Sequence, residues 1–211
     1  MNDDDSKAYR EHPNLVHLFN KLWLAENLNY HCGPGGVGPE TPGWFVSRPI
    51  MNLRGMGIGA EKIWMDKDEL CKVPPGHFWC EWFEGPHCSV SYAVNGGVVV
   101  QTSCYQGFNS PTDLSTFTSW KKIERDNFEI PSFLYNDLVK VPSFNVEFIG
   151  DKIIEVHLRD SPDPQYNFLI PLWEKNEEVV DILQKNGYTY INAPDDADGF
   201  LLKPRIGFFV K

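Results

Sequence analysis

The chain has 211 residues, of which 42% are hydrophobic and 14% aromatic, and its formal net charge is −10. This length fits one domain, and the apolar content is high enough to bury a core, which excludes a disordered chain. The acidic balance argues against a nucleic-acid partner, because a duplex binder needs clustered Lys and Arg around the phosphates. No run approaches the roughly 20 apolar residues of a membrane helix, and Met1–His12 has no apolar signal-peptide core. We therefore expect a soluble, cytoplasmic protein with no membrane partner.

The five cysteines are odd in number and include no Cys-x-x-Cys pair, so we expect reduced thiols. They are Cys32, Cys71, Cys80, Cys88 and Cys104. His77 and His87 lie near two of them in sequence, but the spacing matches no recognised zinc-ligand pattern. The cysteines are therefore interpreted as buried apolar residues.

The N-terminal part is predicted to be helical after an acidic lead-in. Residues 1–13 are acidic and polar, and we expect them to be loosely held. Apolar residues recur at helical spacing over Asn14–Leu28, which predicts one amphipathic helix with Asn14 as its N-cap. The Gly- and Pro-rich run Cys32–Gly43 excludes regular structure, because these residues interrupt both helices and strands.

The middle of the chain is predicted to be rich in strands. Strand-like runs lie at Trp44–Ile50, Phe78–Glu84, His87–Val94 and Val98–Cys104. A Gly-rich turn, Arg54–Gly59, follows the first run, and Gly85-Pro86 and Asn95–Gly97 separate the others as hairpin turns would.

The C-terminal part combines another hairpin with one helix. The hairpin is predicted over Phe144–Arg159, and the helix over Glu174–Lys185 ends at Asn186-Gly187, a good C-cap pair. The tail, Tyr188–Lys211, has the pattern of short strands around the acidic loop Asp195–Gly199. Antiparallel hairpins with few helices predict the α+β class.

One face of the C-terminal hairpin is predicted to carry a row of polar side chains. Glu155, His157 and Arg159 alternate with apolar residues along one strand and therefore point to the same face. Glu147 joins them only if the hairpin loop has an odd number of residues. A three-residue loop, Gly150–Lys152, meets this condition, whereas a two-residue loop would put the two glutamates on opposite faces.

Two interpretations of this polar row stay open. Hard oxygen ligands of this kind suit Mg²⁺ that is also held by the phosphates of a nucleotide. Arg159 would then neutralise charge on a transferred phosphoryl group or on a carboxylate substrate. Alternatively, the row is the solvated face of an antiparallel strand, which is common in such sheets.

The hairpin resembles the metal- and phosphate-binding signature of the ATP-grasp superfamily. The family pattern is a carboxylate, a hairpin and then Glu-x-Asn-x-Arg, and here Glu147 precedes Glu155-x-His157-x-Arg159. Two regions upstream match in the same order, and together the matches cover about residues 14–160.

The first upstream region, Phe78–Tyr92, resembles the hinge strand of the family. The second comprises Asn20-Lys21, Cys32–Pro34 and Trp44–Pro49, and it resembles the run that leads to the phosphate-binding lysine and the Gly-rich loop. Each match is short, but their order along the chain is that of the family.

The resemblance implies how a nucleotide would be held. Glu81 would accept a hydrogen bond from the adenine amino group, and the backbone of Trp82 and Phe83 would contact the adenine edge. His87 lies where the family keeps an acid for the ribose hydroxyls. Arg48 takes the place of the phosphate-binding lysine.

The resemblance also implies residues for the phosphates. Gly55, Gly57 and Gly59 would let a loop approach the phosphates closely, and Arg54 would reach them. Arg48 and Arg54 would thus act in catalysis together with a third arginine at the hairpin.

At the hairpin, the resemblance implies that Glu147, Glu155 and His157 hold Mg²⁺. Arg159 would steady the acyl phosphate that forms when a carboxylate attacks the γ-phosphate of ATP. An amine or thiol would then displace phosphate, so the implied activity is that of an ATP-dependent carboxylate–amine or carboxylate–thiol ligase.

Three departures from the family pattern keep other functions open. His157 replaces an asparagine, Arg48 replaces a lysine and His87 replaces an acid. An inactive remnant that binds a nucleotide or a protein is therefore a second hypothesis, and a β-rich interaction module is a third.

The resemblance also predicts the domain organisation. After the lead-in, one ATP-grasp-like domain over 14–211 would have a smaller lobe at about 14–75 and a larger lobe at about 76–211. We expect the usual preceding substrate domain to be absent, so that a second subunit or a partner protein would present the substrate.

Overall fold

The computed structural model describes residues 5–53, 57, 59–70, 72–110, 113–161, 163, 165–194 and 205–211. The helices are α1 (Asp5–Glu11), a 3₁₀-helix (Pro13–Phe19), α2 (Lys21–Asn27), α3 (Ser132–Leu138) and α4 (Glu177–Lys185). The strands in these ranges form two antiparallel sheets, which confirms the predicted α+β class.

The smaller sheet has four strands in the order β1-β4-β2-β3. They are β1 (Cys32–Pro34), β2 (Gly43–Pro49), β3 (Glu61–Met65) and β4 (His77–Glu81). Strand β1 lies in the Gly- and Pro-rich run, so the expectation of irregular structure is wrong for these three residues. They form a strand because they pair with β4 at the sheet edge, where Cys32 lies opposite Cys80.

The larger sheet has eight strands in the order β11-β12-β10-β7-β6-β5-β8-β9. They are β5 (His87–Asn95), β6 (Val98–Ser110), β7 (Asp113–Lys122), β8 (Ser143–Ile149), β9 (Lys152–His157), β10 (Phe168–Leu172), β11 (Thr189–Ile191) and β12 (Gly207–Val210). The predicted hairpin turn at Asn95–Gly97 is confirmed, because β5 and β6 pair on either side of it.

Gly85-Pro86 is a crossing between the sheets, and the prediction of a hairpin turn there is wrong. Strand β4 pairs with β1 and β2, whereas β5 pairs with β6 and β8. Gly85 has φ +134°, and a Cβ there would lie 2.9 Å from the Cα of Gly150. Glycine is therefore required where this crossing contacts the β8–β9 loop. The proposed lobe boundary near residue 75 stays a prediction, although β4 itself lies in the smaller sheet.

The N-terminal region contains three short helical segments. The expectation of a loose lead-in is wrong for Asp5–Glu11, which forms α1 with Asp5 and Ala8 buried. The single helix predicted from Asn14 is interrupted at Asn20, whose extended backbone lets its side chain accept a 2.9 Å hydrogen bond from the Trp23 N–H. Asn20 is thus the N-cap of α2, because its side chain satisfies a free N–H of the first turn.

The β8–β9 hairpin has a two-residue loop and a bulge. Ile149 pairs with Lys152, so the predicted three-residue loop is wrong. The register then shifts by one residue, since Phe148 pairs with Ile153 but Glu147 pairs with Glu155. Ile154 is the extra residue, and this bulge rather than the loop puts both glutamates on one face.

The other face of the larger sheet packs against the helices. Phe144, Val146 and Phe148 of β8 are fully buried in a cluster that includes Leu24 of α2 and Leu138 of α3. The two faces of β8 therefore differ sharply, because alternate residues point into this apolar core and toward the polar row.

The C-terminal helix α4 begins after Asn176, which accepts a hydrogen bond from the Val179 N–H, and ends before Gly187 at φ +82°. This confirms the predicted helix stop. The tail forms β11 and β12, and the acidic loop Asp195–Gly199 lies outside the described residues. No helix in the described ranges is long and apolar enough to cross a membrane.

The four described cysteines are free thiols, as predicted. Cys80, Cys88 and Cys104 are buried and Cys32 is half-buried, whereas Cys71 lies outside the described residues.

We expect Phe148→Ala to lower the free energy of unfolding by about 3–5 kcal/mol, because it removes a fully buried ring and leaves a cavity. Urea unfolding monitored by circular dichroism measures this. The matched control is Phe108→Ala, at a ring that is 41% exposed, for which we expect a loss below about 1 kcal/mol. Equal losses for the two variants would contradict this description of the core.

Candidate functional site

A cavity of about 500 Å³ is lined by residues from both sheets and from α2. Seven of the residues singled out by the sequence line it: Arg48, Gly57, Trp82, Phe83, His87, Glu147 and Glu155. The smaller sheet contributes Arg48, and the larger sheet contributes both glutamates. The structure therefore brings together, at one cavity, seven predicted residues that are far apart in sequence.

Glu147 and Glu155 lie directly opposite each other on β8 and β9, and both line the cavity. Ser89 of β5 lies opposite Glu147 on the other side. Glu155 is 8% exposed, so at least one carboxylate of the pair is largely removed from water. Two carboxylates held this close repel each other unless cations are near.

Arg48 connects the two sheets. Its Nη2 donates a 2.9 Å hydrogen bond to the carbonyl oxygen of Ile154, and its guanidinium lies 5.3 Å from the centre of the Phe78 ring. Ile154 is the bulged residue of β9. The arginine thus satisfies a buried carbonyl that the bulge removes from the regular strand pairing.

Lys21 is a site residue that the sequence analysis missed. Its Nζ lies 2.8 Å from Oε1 of Glu155, and the side chain is buried while lining the cavity. The signal was available, because Lys21 is three residues before Leu24 and therefore lies on the same side of α2, which is buried. A buried lysine in this position needs a negatively charged partner, which Glu155 provides.

His157 is bound to Asp5 rather than exposed to the cavity. The hydrogen bond between its Nδ1 and Oδ2 of Asp5 is 2.8 Å long, and both side chains are buried. Burial opposes the charged imidazolium, but the negative charges of Asp5 and Glu155 raise the pKa of His157 to about 10.

Arg159 is also held by Asp5. Its Nη2 donates a 3.0 Å hydrogen bond to Oδ2 of Asp5, and its Nε lies 2.9 Å from Oδ1. Burial alone would raise the pKa of Asp5, but the positive charges of His157 and Arg159 lower it below its usual value. Asp5 is the second residue that the sequence analysis missed, because the acidic lead-in gave no indication of its burial.

Glu147 completes the charged cluster. Nε2 of His87 lies 3.1 Å from its Oε2, and Nε2 of His157 lies 3.7 Å from its Oε1. Burial acts to raise the pKa of Glu147, but the positive charges of these two histidines and the hydrogen bond to His87 hold it well below its usual value. Glu147 is therefore ionised, as a metal ligand must be.

One group of three side chains could hold a metal ion in the described part of the chain. A ligand atom from each of Glu147, Glu155 and His157 lies within 4.8 Å of the others. Two carboxylates fit a divalent cation that also binds phosphate oxygens. The third donor is an imidazole nitrogen, which suits transition ions better than Mg²⁺.

Other predicted site residues lie outside the lining of the cavity. Oε1 of Glu81 accepts a 3.0 Å hydrogen bond from the backbone N–H of His31. Arg159 is turned toward Asp5, and Gly59 lies near His77. Their roles toward a nucleotide stay predictions. Arg54 and Gly55 lie outside the described residues.

No family model matches the chain, and no curated protein matches it in sequence. Solved structures do match. The N5-carboxyaminoimidazole synthetase from Staphylococcus aureus, solved with ADP, aligns over 93% of this chain and 68% of its own, with 8% identity and a TM-score of 0.55. The carboxyaminoimidazole ribonucleotide synthase from Aspergillus clavatus, solved with ATP, aligns over 97% and 73%, with 8% identity and a TM-score of 0.53.

A protein from Archaeoglobus fulgidus assigned to the ATP-grasp superfamily aligns over 70% of this chain, with 18% identity and a TM-score of 0.40. The chain spans about half of that protein, 48% of its length. At such low identities a structural likeness shows the fold alone. The likeness to the two synthetases, with TM-scores of 0.55 and 0.53, shows an ATP-grasp-like α+β fold, which confirms the resemblance seen in the sequence at the level of the fold.

We expect Asp5→Ala to lower the free energy of unfolding by about 3–5 kcal/mol, because it leaves His157 and Arg159 buried without their anionic partner. Urea unfolding at neutral pH measures the loss. Glu11→Gln is the control, since it removes a carboxylate of the same helix that is paired with Lys7 in a 4.0 Å surface contact. A loss for Asp5→Ala no larger than that of the control would contradict the described burial.

Proposed function

We propose that the cavity binds ATP together with a divalent cation, and that the chain is an ATP-dependent ligase of the ATP-grasp type. The observation that carries this proposal is the opposed pair Glu147 and Glu155 in a cavity that also contains Lys21 and Arg48. Paired carboxylates attract a cation, and the two basic side chains attract phosphate. A nucleoside triphosphate with its bound cation would interact favourably with both the carboxylates and the basic side chains.

The rest of the lining supports a nucleotide. Val46, Trp82, Phe83 and Ile149 give the cavity an apolar part, and His87 contributes a polar group. A flat heterocyclic base fits an apolar slot with a few polar groups at its edge. The bound nucleotides of the two Staphylococcus and Aspergillus structures agree with such a use of the fold.

The proposed reaction joins a carboxylate to an amine or a thiol. The substrate carboxylate attacks the γ-phosphorus of ATP, the bond to the β–γ bridging oxygen breaks, and ADP leaves. The amine or thiol then attacks the acyl phosphate and phosphate departs. Lys21 and Arg48 would orient the phosphates and offset the charge that builds on them, and Glu147 and Glu155 would hold the cation.

A second function is favoured by a specific observation. Arg159, which the ligase mechanism needs at the acyl phosphate, is bound on two sides by Asp5 and does not line the cavity. A chain that binds ATP without transferring its phosphate would need no free arginine there. The alternative is therefore a catalytically inactive nucleotide-binding or protein-binding module.

We expect ATP with a divalent cation to raise the melting temperature. A ligand at roughly 100 times its Kd stabilises the folded state by about 2.7 kcal/mol, and a domain of this size gains about 2–4 °C per kcal/mol. Differential scanning fluorimetry with Mg²⁺ or Mn²⁺ alone, with ATP and with ADP measures this. No shift with any nucleotide would overturn the proposal and favour the interaction module.

We expect Lys21→Met to weaken ATP binding about 10- to 100-fold, because a hydrogen bond to a charged group contributes about 1.5–3 kcal/mol. Isothermal titration calorimetry gives the affinity, and circular dichroism shows whether the variant keeps its fold. Lys72→Met is the matched control, because Lys72 is an exposed lysine of the same chain that pairs with Glu69 away from the cavity. Unchanged affinity in a folded Lys21→Met variant would contradict phosphate binding by Lys21.

Turnover separates the two candidate functions. A coupled assay for ADP with a panel of carboxylates and amines or thiols should show release by the wild-type chain that Glu155→Gln abolishes. ATP binding without ADP release on any pair would exclude the ligase for that panel and favour the inactive module.

A further inference from the structure

The ring of His157 is oriented by a contact on the side away from the glutamates. Nδ1 lies 2.8 Å from Oδ2 of Asp5, so this nitrogen carries a proton and donates it to the carboxylate. The other nitrogen, Nε2, faces Glu147 and Glu155 at 3.7 Å and 3.9 Å. Both distances exceed a normal hydrogen bond, so Nε2 lies between the two carboxylates as an ion-pair neighbour of both and is not hydrogen-bonded tightly to either.

Asp5 is itself held in place. The guanidinium of Arg159 contacts both of its oxygens, and the Asp5 side chain is 1% exposed. The order Arg159, Asp5, His157 therefore leaves the imidazole little freedom to turn. Histidines that bind metals usually donate their other ring N–H to a carboxylate. This hydrogen bond fixes the tautomer of the ring and makes the remaining nitrogen a stronger metal ligand.

We propose that Glu147, Glu155 and His157 form a site for a divalent transition-metal ion such as Mn²⁺, held in preference to Mg²⁺, with Asp5 as the positioning residue of the histidine. This inference rests on the proposed function, because it concerns the cation that would accompany the nucleotide. It adds that the cation is a transition-metal ion, and that helix α1 positions the histidine ligand through Asp5.

The preference for Mn²⁺ over Mg²⁺ follows from the ligand atoms, which are two carboxylate oxygens and one imidazole nitrogen. Mg²⁺ demands oxygen ligands in near-octahedral geometry and binds imidazole poorly, whereas Mn²⁺ and the later divalent ions accept carboxylate and imidazole together. Two carboxylates with one supported imidazole are therefore a poor set for Mg²⁺ and a good set for Mn²⁺. The same carboxylates would still leave positions at the ion for phosphate oxygens.

Three negative and three positive groups balance one another in the cluster when no metal is bound. Without a metal, the carboxylates of Asp5, Glu147 and Glu155 are countered by Lys21, Arg159 and the imidazolium of His157. On metal binding, the Nε2 proton of His157 leaves to solvent. The divalent ion then supplies two positive charges in place of one, and the phosphate oxygens of the nucleotide would offset the additional charge.

The test measures metal binding directly, on the full chain and without nucleotide. Mn²⁺ is titrated by electron paramagnetic resonance of the free ion, and Mg²⁺ is then titrated as its competitor. We expect Mn²⁺ to bind more tightly than Mg²⁺, and His157→Asn to remove most of that difference, since it replaces the nitrogen by an amide oxygen. We expect Asp5→Asn to weaken Mn²⁺ binding by about 10- to 100-fold.

The matched control is Asp137→Asn. It removes the carboxylate of a second carboxylate–histidine pair, in which His17 Nε2 lies 2.9 Å from Asp137, and neither residue belongs to the cluster. Mn²⁺ affinity should be unchanged in this variant. Circular dichroism establishes that each variant is folded.

A measurement on the wild-type chain keeps the proposal falsifiable if the cluster variants do not fold. Electron spin-echo modulation of bound Mn²⁺ should show a ¹⁴N nucleus, because one ligand is an imidazole nitrogen. No nitrogen signal, equal affinity for the two ions, or no binding of either ion would overturn the inference. Nucleotide binding in the fluorimetry above with no preference for Mn²⁺ would overturn the metal assignment alone, whereas Mn²⁺ binding without any nucleotide effect would overturn the proposed function.

Discussion

The β-bulge at Ile154 is the constraint on which the cavity depends. The tight loop between β8 and β9 would by itself set Glu147 and Glu155 on opposite faces, and the one extra residue restores them to the same face. The bulge also releases the carbonyl of Ile154, which Arg48 of the smaller sheet binds at 2.9 Å. One irregularity therefore positions both carboxylates and ties the two sheets together beside them.

Collecting carboxylates in a poorly solvated place is costly, and the N-terminal helices reduce that cost. Lys21 at the start of α2 binds Glu155, while Asp5 at the start of α1 holds His157 and Arg159. Positive and negative groups alternate through the cluster, so each buried charge has a neighbour of opposite sign. Helices that cover the larger sheet thus also set the electrostatics of the polar row.

The ion pairs within the cluster affect how a ligand would bind in the cavity. A cation or a phosphate group that enters the cavity must compete with partners already in place, since Lys21 is bound to Glu155. Binding would then exchange one set of ion pairs for another instead of filling an open, uncompensated site. The free energy of ligand binding is correspondingly smaller than the contacts alone would suggest.

Much of the fold could be predicted from local pattern. Alternating apolar residues identified most strands, Asn186-Gly187 marked the end of α4, and the order of short motifs indicated the ATP-grasp-like fold. The predictions were wrong where one or two residues change the local structure against the surrounding pattern. The periodicity of Asn14–Leu28 ran through Asn20, and Gly85-Pro86 resembled a hairpin turn although it crosses between sheets.

The sequence by itself determined that Glu155 and His157 share one face of β9, because a period of two assigns alternate side chains to opposite faces. Whether Glu147 of β8 joins them was decided by the bulge at Ile154. Only the tertiary structure decided which partners those side chains have. Asp5 lies 152 positions from His157 in the chain, and Lys21 is far from Glu155. Contacts between such distant residues depend on how helices and sheets pack, and local periodicity carries no information about that packing.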